Sequence, residues 1–134
     1  MKKQLILILV FLSLLLIPCV LANDVVTVHV GLSDCKFWLA NVLNIPHAFV
    51  LLNSNVYEVL KRQDNGIRIG VSDFEDFLKK KNEVRFVYSF KISRAVFYKK
   101  VVYLKFILER SEYNLFWNNC YHFVYQIWKE RERG

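Results

Sequence analysis

Residues 46–71 read PHAFVLLNSNVYEVLKRQDNGIRIGV, and this stretch decides the fold class. His47–Leu52 is a nearly continuous apolar run, which is typical of a buried strand. The segment Asn53-Ser54-Asn55 has turn chemistry, and the Asn-Gly of Asp64-Asn65-Gly66 is a strong hairpin signal. Val56–Lys61 and Ile67–Val71 follow the two turns as returning strands. The stretch therefore predicts a three-stranded antiparallel meander.

The flanking segments extend this sheet and add helices. Ser72 with Glu75 forms a capping box that predicts a helix to about Lys80, burying Phe74, Phe77 and Leu78. Further strands are expected at Val25–Gly31 and, as a fourth strand of the meander, at Glu83–Phe90. Further helices are expected within Leu32–Leu43, from Ser93 to about Glu109, and at Cys120–Glu132. The chain is predicted to be an α+β domain with an antiparallel sheet of about four to five strands packed against helices.

The first 22 residues differ from the rest of the chain. Lys2 and Lys3 precede an apolar run from Leu5 to Ile17, and Val20-Leu21-Ala22 ends it with a small residue. This is the pattern of a secretory signal peptide, with an uncleaved N-terminal membrane anchor as the alternative. Residues 23–134 then form a single domain in the secretory pathway. That domain is expected to be secreted, or anchored and facing the lumen or exterior.

Basic residues dominate the chain, which carries a formal net charge of +7. They gather at Lys79–Lys81, at Lys99–Lys100 and in the tail from Lys129 to Arg133. Loss of the two N-terminal lysines would still leave the domain positive. Such a charge favours association with anionic phospholipid headgroups. Translocation argues against nucleic acid as a partner, and the oligomeric state is not predicted.

Cys120 is the best candidate nucleophile. It starts a predicted helix whose apolar stripe also contains Phe123, Val124, Ile127 and Trp128, and Asn119 can cap that helix. Backbone N–H groups at a helix N-terminus stabilise a thiolate and can hold an oxyanion. Of the three histidines, His47 is the best base, because His29 lies within a strand and His122 points about 200° away from Cys120 on the helix.

The segment YNLFWNNCYHFV (113–124) resembles the Asn-Cys-Glu-His-Phe nucleophile motif of the lecithin–retinol acyltransferase-like family. PHAFVLLNSNVYEV (46–59) resembles that family's His strand and hairpin. The resemblance implies a circularly permuted, papain-like (NlpC-type) fold over most of residues 25–132. It makes Cys120 the nucleophile and His47 the general base, with His122, Asn119 and Tyr113 in supporting positions. The related PPPDE-type deubiquitinase-like hydrolases share an Asn-Cys motif and need only the His–Cys dyad.

The chain departs from the family pattern at two positions. Tyr121 replaces the motif's Glu, and Val59 occupies the position of the family's second, imidazole-orienting His. Glu58, one residue earlier, can take that role only if the hairpin loop is the two residues Asn53-Ser54. A three-residue loop would place Val59 on the face of His47, because a one-residue slip exchanges the two faces of a strand. The sequence leaves both registers open.

These features predict a thiol-dependent acyltransferase or phospholipase A-type hydrolase that acts on lipid esters through an acyl-cysteine. One alternative uses the same dyad as a cysteine peptidase or amidase. The other is a secreted, non-catalytic binding module in which Cys35 and Cys120 form a disulfide. No metal-binding or phosphate-loop motif is present, so neither a metal nor a cofactor is expected.

Overall fold

The computed structural model of the chain describes residues 2–22, 24–34, 45–114 and 118–133. Its helices are α1 (Lys2–Ala22), α2 (Phe74–Lys79), α3 (Arg94–Leu108) and α4 (Cys120–Trp128), and its strands are β1 (Val25–Ser33), β2 (His47–Leu52), β3 (Asn55–Lys61), β4 (Ile67–Asp73) and β5 (Val84–Ser93). The α+β prediction is confirmed. The helix expected within Leu32–Leu43, and Cys35 with it, falls largely on residues outside the described ranges.

The five strands form one antiparallel sheet in the order β4-β3-β2-β1-β5. The meander β2–β3–β4 is confirmed. The fourth strand is not part of that meander, however: β5 pairs with β1 at the opposite edge, from Val25 opposite Ser93 to Ser33 opposite Val84. The intervening helix α2 carries the chain away from β4, so that edge is not extended. Asp34, directly after β1, holds the segment that leads into β5, because its carboxylate accepts the N–H groups of Asn82 and Glu83 at 2.9 and 3.2 Å.

Alternating side chains divide the core between the two faces of the sheet. On one face α3 and α4 bury Phe97, Leu104, Phe123 and Ile127 against the sheet, as the apolar stripe of α4 predicted. On the other face Phe77 of α2 packs on Phe49, Leu51 and Val56. Phe49 also lies over Gly31, where any Cβ would collide with the phenyl ring. The two buried faces make the pairing register of β2 and β3 unambiguous.

The predicted capping box of α2, with Ser72 as the N-cap, is wrong. Ser72 belongs to β4, where it pairs with Val56. Asp73 is the N-cap instead, and its carboxylate accepts the N–H of Glu75 at 3.1 Å. Leu78, expected in the core, is 39% exposed, because a helix of six residues turns only Phe77 fully inward.

Helix α1 shows exposed apolar side chains from Leu5 to Leu12. It contacts α3. None of the helices in the described residues has the length and sustained hydropathy of a membrane-spanning segment.

Candidate functional site

The hairpin between β2 and β3 has a two-residue loop. Asn55 pairs with Leu52, Val56 with Leu51 and Tyr57 with Val50. Asn53 takes a left-handed backbone conformation with φ of 55°, which asparagine tolerates better than most residues. The shorter of the two registers is therefore the one adopted. Val59 consequently turns into the core beneath α3 and α4 and is only 3% exposed.

Glu58 thereby comes to lie beside His47. The Nε2 atom of His47 is 3.0 Å from Oε1 of Glu58, and the two side chains are 11% and 9% exposed. His47 is the first residue of β2 and so stands at the end of the sheet, opposite Ser33 of β1. Burial removes both groups from water, which strengthens a charged hydrogen bond between them.

Cys120 completes a chain of three contacting side chains. It is the first residue of α4, is 6% exposed, and carries a free thiol. It lies close enough to His47 for its hydrogen bonding and charge to raise the pKa of the imidazole. Since Nε2 of the imidazole is taken by Glu58, Nδ1 is the ring nitrogen available to the sulfur. Thiol, imidazole and carboxylate thus lie near one another, although they come from positions 120, 47 and 58 of the chain.

The charge balance of this group favours a protonated imidazole. Burial alone would lower the pKa of His47, because it disfavours the imidazolium. The hydrogen bonds and charges of Cys120 and Glu58 outweigh burial and raise that pKa from 6.5 to about 9. His47 therefore carries its proton at neutral pH.

Asn119 sets the start of α4. Its side-chain oxygen accepts the N–H of His122 at 3.1 Å, and its amide nitrogen donates to the carbonyl of Asn114 at 3.1 Å. Asn118 before it has a left-handed φ of 38°, so the chain turns sharply into the helix. These contacts fix the start of α4 and so place Cys120 in the first turn of the helix. The supporting role of Asn119 in catalysis stays a prediction.

The other two supporting residues lie away from the dyad's hydrogen bonds. The Nε2 atom of His122 is 3.2 Å from the side-chain nitrogen of Gln126, and its Nδ1 is buried with no hydrogen-bond partner among the described residues. The N–H of Tyr113 donates to the carbonyl of Asn65 at 2.9 Å, and its ring packs on the core.

Tyr121 has a role that sequence reasoning did not assign. Its hydroxyl donates a 2.5 Å hydrogen bond to the carbonyl of Pro46, across 75 residues of sequence. Tyr121 follows the nucleophile and Pro46 precedes the base, so this bond ties the backbones on both sides of the Cys120–His47 pair. The only sequence signal is the position itself, since this is where the resembling family has a Glu.

Within the described ranges, no three His, Cys, Asp or Glu side chains are grouped to hold a metal ion. No protein-family model, curated protein or solved structure matches the chain.

Proposed function

We propose that this protein is a thiol-dependent acyltransferase or acyl hydrolase of lipid esters, built on a permuted papain-like fold. The observation that carries the proposal is the contact chain from Cys120 through His47 to Glu58. A buried thiol at a helix N-terminus, bonded to a charged imidazole that a carboxylate orients, is the arrangement that nucleophilic acyl transfer requires. The lipid substrate class and the family rest on the resemblance of residues 46–59 and 113–124.

The chemistry follows from the protonation state of the pair. The sulfur of Cys120 attacks the ester carbonyl carbon, and the oxyanion is stabilised by the N-terminal end of α4. Collapse breaks the C–O bond, and the leaving alkoxide takes the proton of the His47 imidazolium. His47, now neutral, then accepts a proton from water or an acceptor alcohol or amine as that group attacks the acyl-cysteine. The thioester breaks, and the thiolate–imidazolium pair is restored.

Intact-protein mass spectrometry tests this directly. Incubation with a short-chain activated ester should add one acyl group to the wild-type chain and none to Cys120→Ala, whereas Cys35→Ala should be acylated like wild type. Equal acylation of wild type and Cys120→Ala would remove Cys120 from the mechanism. A Cys35–Cys120 disulfide in the native digest, with acylation of neither cysteine, would establish the binding-module alternative. Turnover of a peptide amide in place of lipid esters would establish the peptidase.

We further propose that the domain works at an anionic membrane surface. On α3, Val102 and Phe106 are 68% and 59% exposed, and Lys99 and Lys105 are exposed on the same helix. Exposed apolar groups flanked by cations suit the headgroup region of an anionic bilayer. Cosedimentation with vesicles should increase with the fraction of anionic lipid, and this dependence should weaken in Lys99→Gln/Lys105→Gln. Binding independent of lipid charge would overturn this part.

A further inference from the structure

A pocket of about 440 Å³ lies between α2 and the strands β3 and β4. Glu58 forms part of its wall, facing Gly70 across the two strands. Phe77 of α2 and Leu60 of β3 contribute an apolar surface. Gly70 has no side chain, and Cδ1 of Leu60 lies 2.8 Å from where its Cβ would be. The pocket therefore borders the residue whose carboxylate contacts His47.

Three cations line this pocket: Arg68, Lys80 and Lys81. Within the described part of the chain none of the three forms an ion pair, whereas the neighbouring Lys79 is 3.8 Å from the carboxylate of Asp76. Lys81 lies over the ring of Phe77 at 5.5 Å. The charge of Lys81 also helps to lower the pKa of Asp34, so that carboxylate offsets part of the positive charge. Arg68 and Lys80 still leave the pocket with an excess of cations.

The carboxylate of Glu58 does not offset these cations, because the protonated imidazole of His47 already compensates its negative charge. The carboxylate and the imidazole are 3.0 Å apart, and the imidazole is protonated at neutral pH. With this pair neutral as a unit, the three cations leave the pocket with a net positive charge. A dianion or monoanion of phosphate geometry meets both of the requirements for a ligand here, since it accepts several hydrogen bonds and bears negative charge.

We propose that this pocket binds the phosphate group of an organic phosphate ester, with Arg68, Lys80 and Lys81 on the phosphate. The volume exceeds what one phosphate fills and falls within the range of small-ligand sites. Phe77 and Leu60 give the remaining space an apolar wall for the carbon part of the ligand. The chemistry fits both a phospholipid headgroup and a water-soluble phosphate ester.

This inference deepens the proposed function, and only the lipid source of the phosphate rests on it. Glu58, which lines the pocket, is hydrogen-bonded to His47, and His47 in turn interacts with the thiol of Cys120. A phosphate held there lies on the far side of the Glu58–His47 pair from the sulfur.

Backbone amide shifts measured by NMR on the full-length Cys120→Ala chain in a nonionic detergent test the site without turnover. The probes are inorganic phosphate, glycerol 3-phosphate, monomeric dihexanoylphosphatidic acid and, as the phosphate-free match, dihexanoylglycerol. We expect saturable shifts at Gly70, Val71 and Lys81 with the three phosphates and none with dihexanoylglycerol. Affinity should fall at least tenfold in Arg68→Gln/Lys81→Gln and stay within twofold in Lys79→Gln.

The outcomes separate the ligand sources and the two proposals. Tighter binding of dihexanoylphosphatidic acid than of inorganic phosphate supports a lipid headgroup. Binding of inorganic phosphate and glycerol 3-phosphate but not of the lipid keeps the site and refutes the lipid source. No saturable shift, or equal affinity in the double variant and in Lys79→Gln, overturns the inference. A wild-type chain that fails to form an acyl-enzyme while its pocket binds phosphate would refute only the proposed function.

Discussion

The Glu58→Gln substitution is the sharpest probe of the site, because it removes one charge and keeps the size of the side chain. The carboxylate is 3.0 Å from Nε2 of His47, and both side chains are about nine-tenths buried. An opposite charge this close typically shifts a pKa by about 1–3 units. The hydrogen bond to Cys120 remains, so the pKa of His47 should fall only part of the way, from about 9 to roughly 7–8. Each unit corresponds to about 1.4 kcal/mol of charge stabilisation.

An NMR titration of the His47 imidazole measures this shift without any substrate. The chain has three histidines, so the resonance can be assigned by comparison with His47→Gln. In an active enzyme the alkaline limb of kcat/KM should move to lower pH by the same amount, because that limb reports ionisations of the free enzyme. Glu75→Gln is the matched control, since Glu75 is an exposed carboxylate on α2 and should leave the titration unchanged.

An unchanged His47 titration in Glu58→Gln would refute the reasoning. It would mean that the 3.0 Å contact does not hold the proton on His47 and that Glu58 is not the orienting residue. A shift as large in Glu75→Gln would assign the effect to the overall charge of the domain.

Three more outcomes follow from single contacts. Because folding raises the pKa of His47 from 6.5 to about 9, its stabilising contribution should be complete below pH 6.5 and lost as the pH rises through 9. Urea unfolding should show this loss, on the order of 3 kcal/mol, in wild type and not in His47→Gln. Tyr121→Phe removes the hydroxyl bonded to the Pro46 carbonyl and should lower kcat by roughly tenfold with little change in KM. The same change should reduce the free energy of unfolding by about 1 kcal/mol. An unaltered kcat would show that this bond does not position the dyad. Gly31→Ala should cost about 1–3 kcal/mol of stability, since its Cβ would collide with the buried Phe49 ring. An unchanged urea midpoint would show that the ring can move aside.

Much of the local structure was predictable because it depends on short-range patterns. The apolar run at His47–Leu52, the turn residues after it and the helical spacing of Phe123 and Ile127 each report burial within one element. Ser72 was misassigned as a helix cap because Asp73 offers the same capping chemistry one residue later. Only the ladder with Val56 decides between them.

The candidate pair, Cys120 at a helix start and His47 at a strand start, could be identified without the fold, since each residue is recognised from its own neighbours in the chain. The tertiary structure decided which residue orients the imidazole. Asn53-Ser54-Asn55 permits a loop of two or three residues, and these differ by a one-residue slip that exchanges Glu58 with Val59. Burial of Val59 under α3 and α4 selects the two-residue loop, and Glu58 then meets His47. The placement of β5 beside β1 and the bond from Tyr121 to Pro46 also depend on the tertiary structure. They join distant parts of the chain, and their energies depend on packing that no local pattern records.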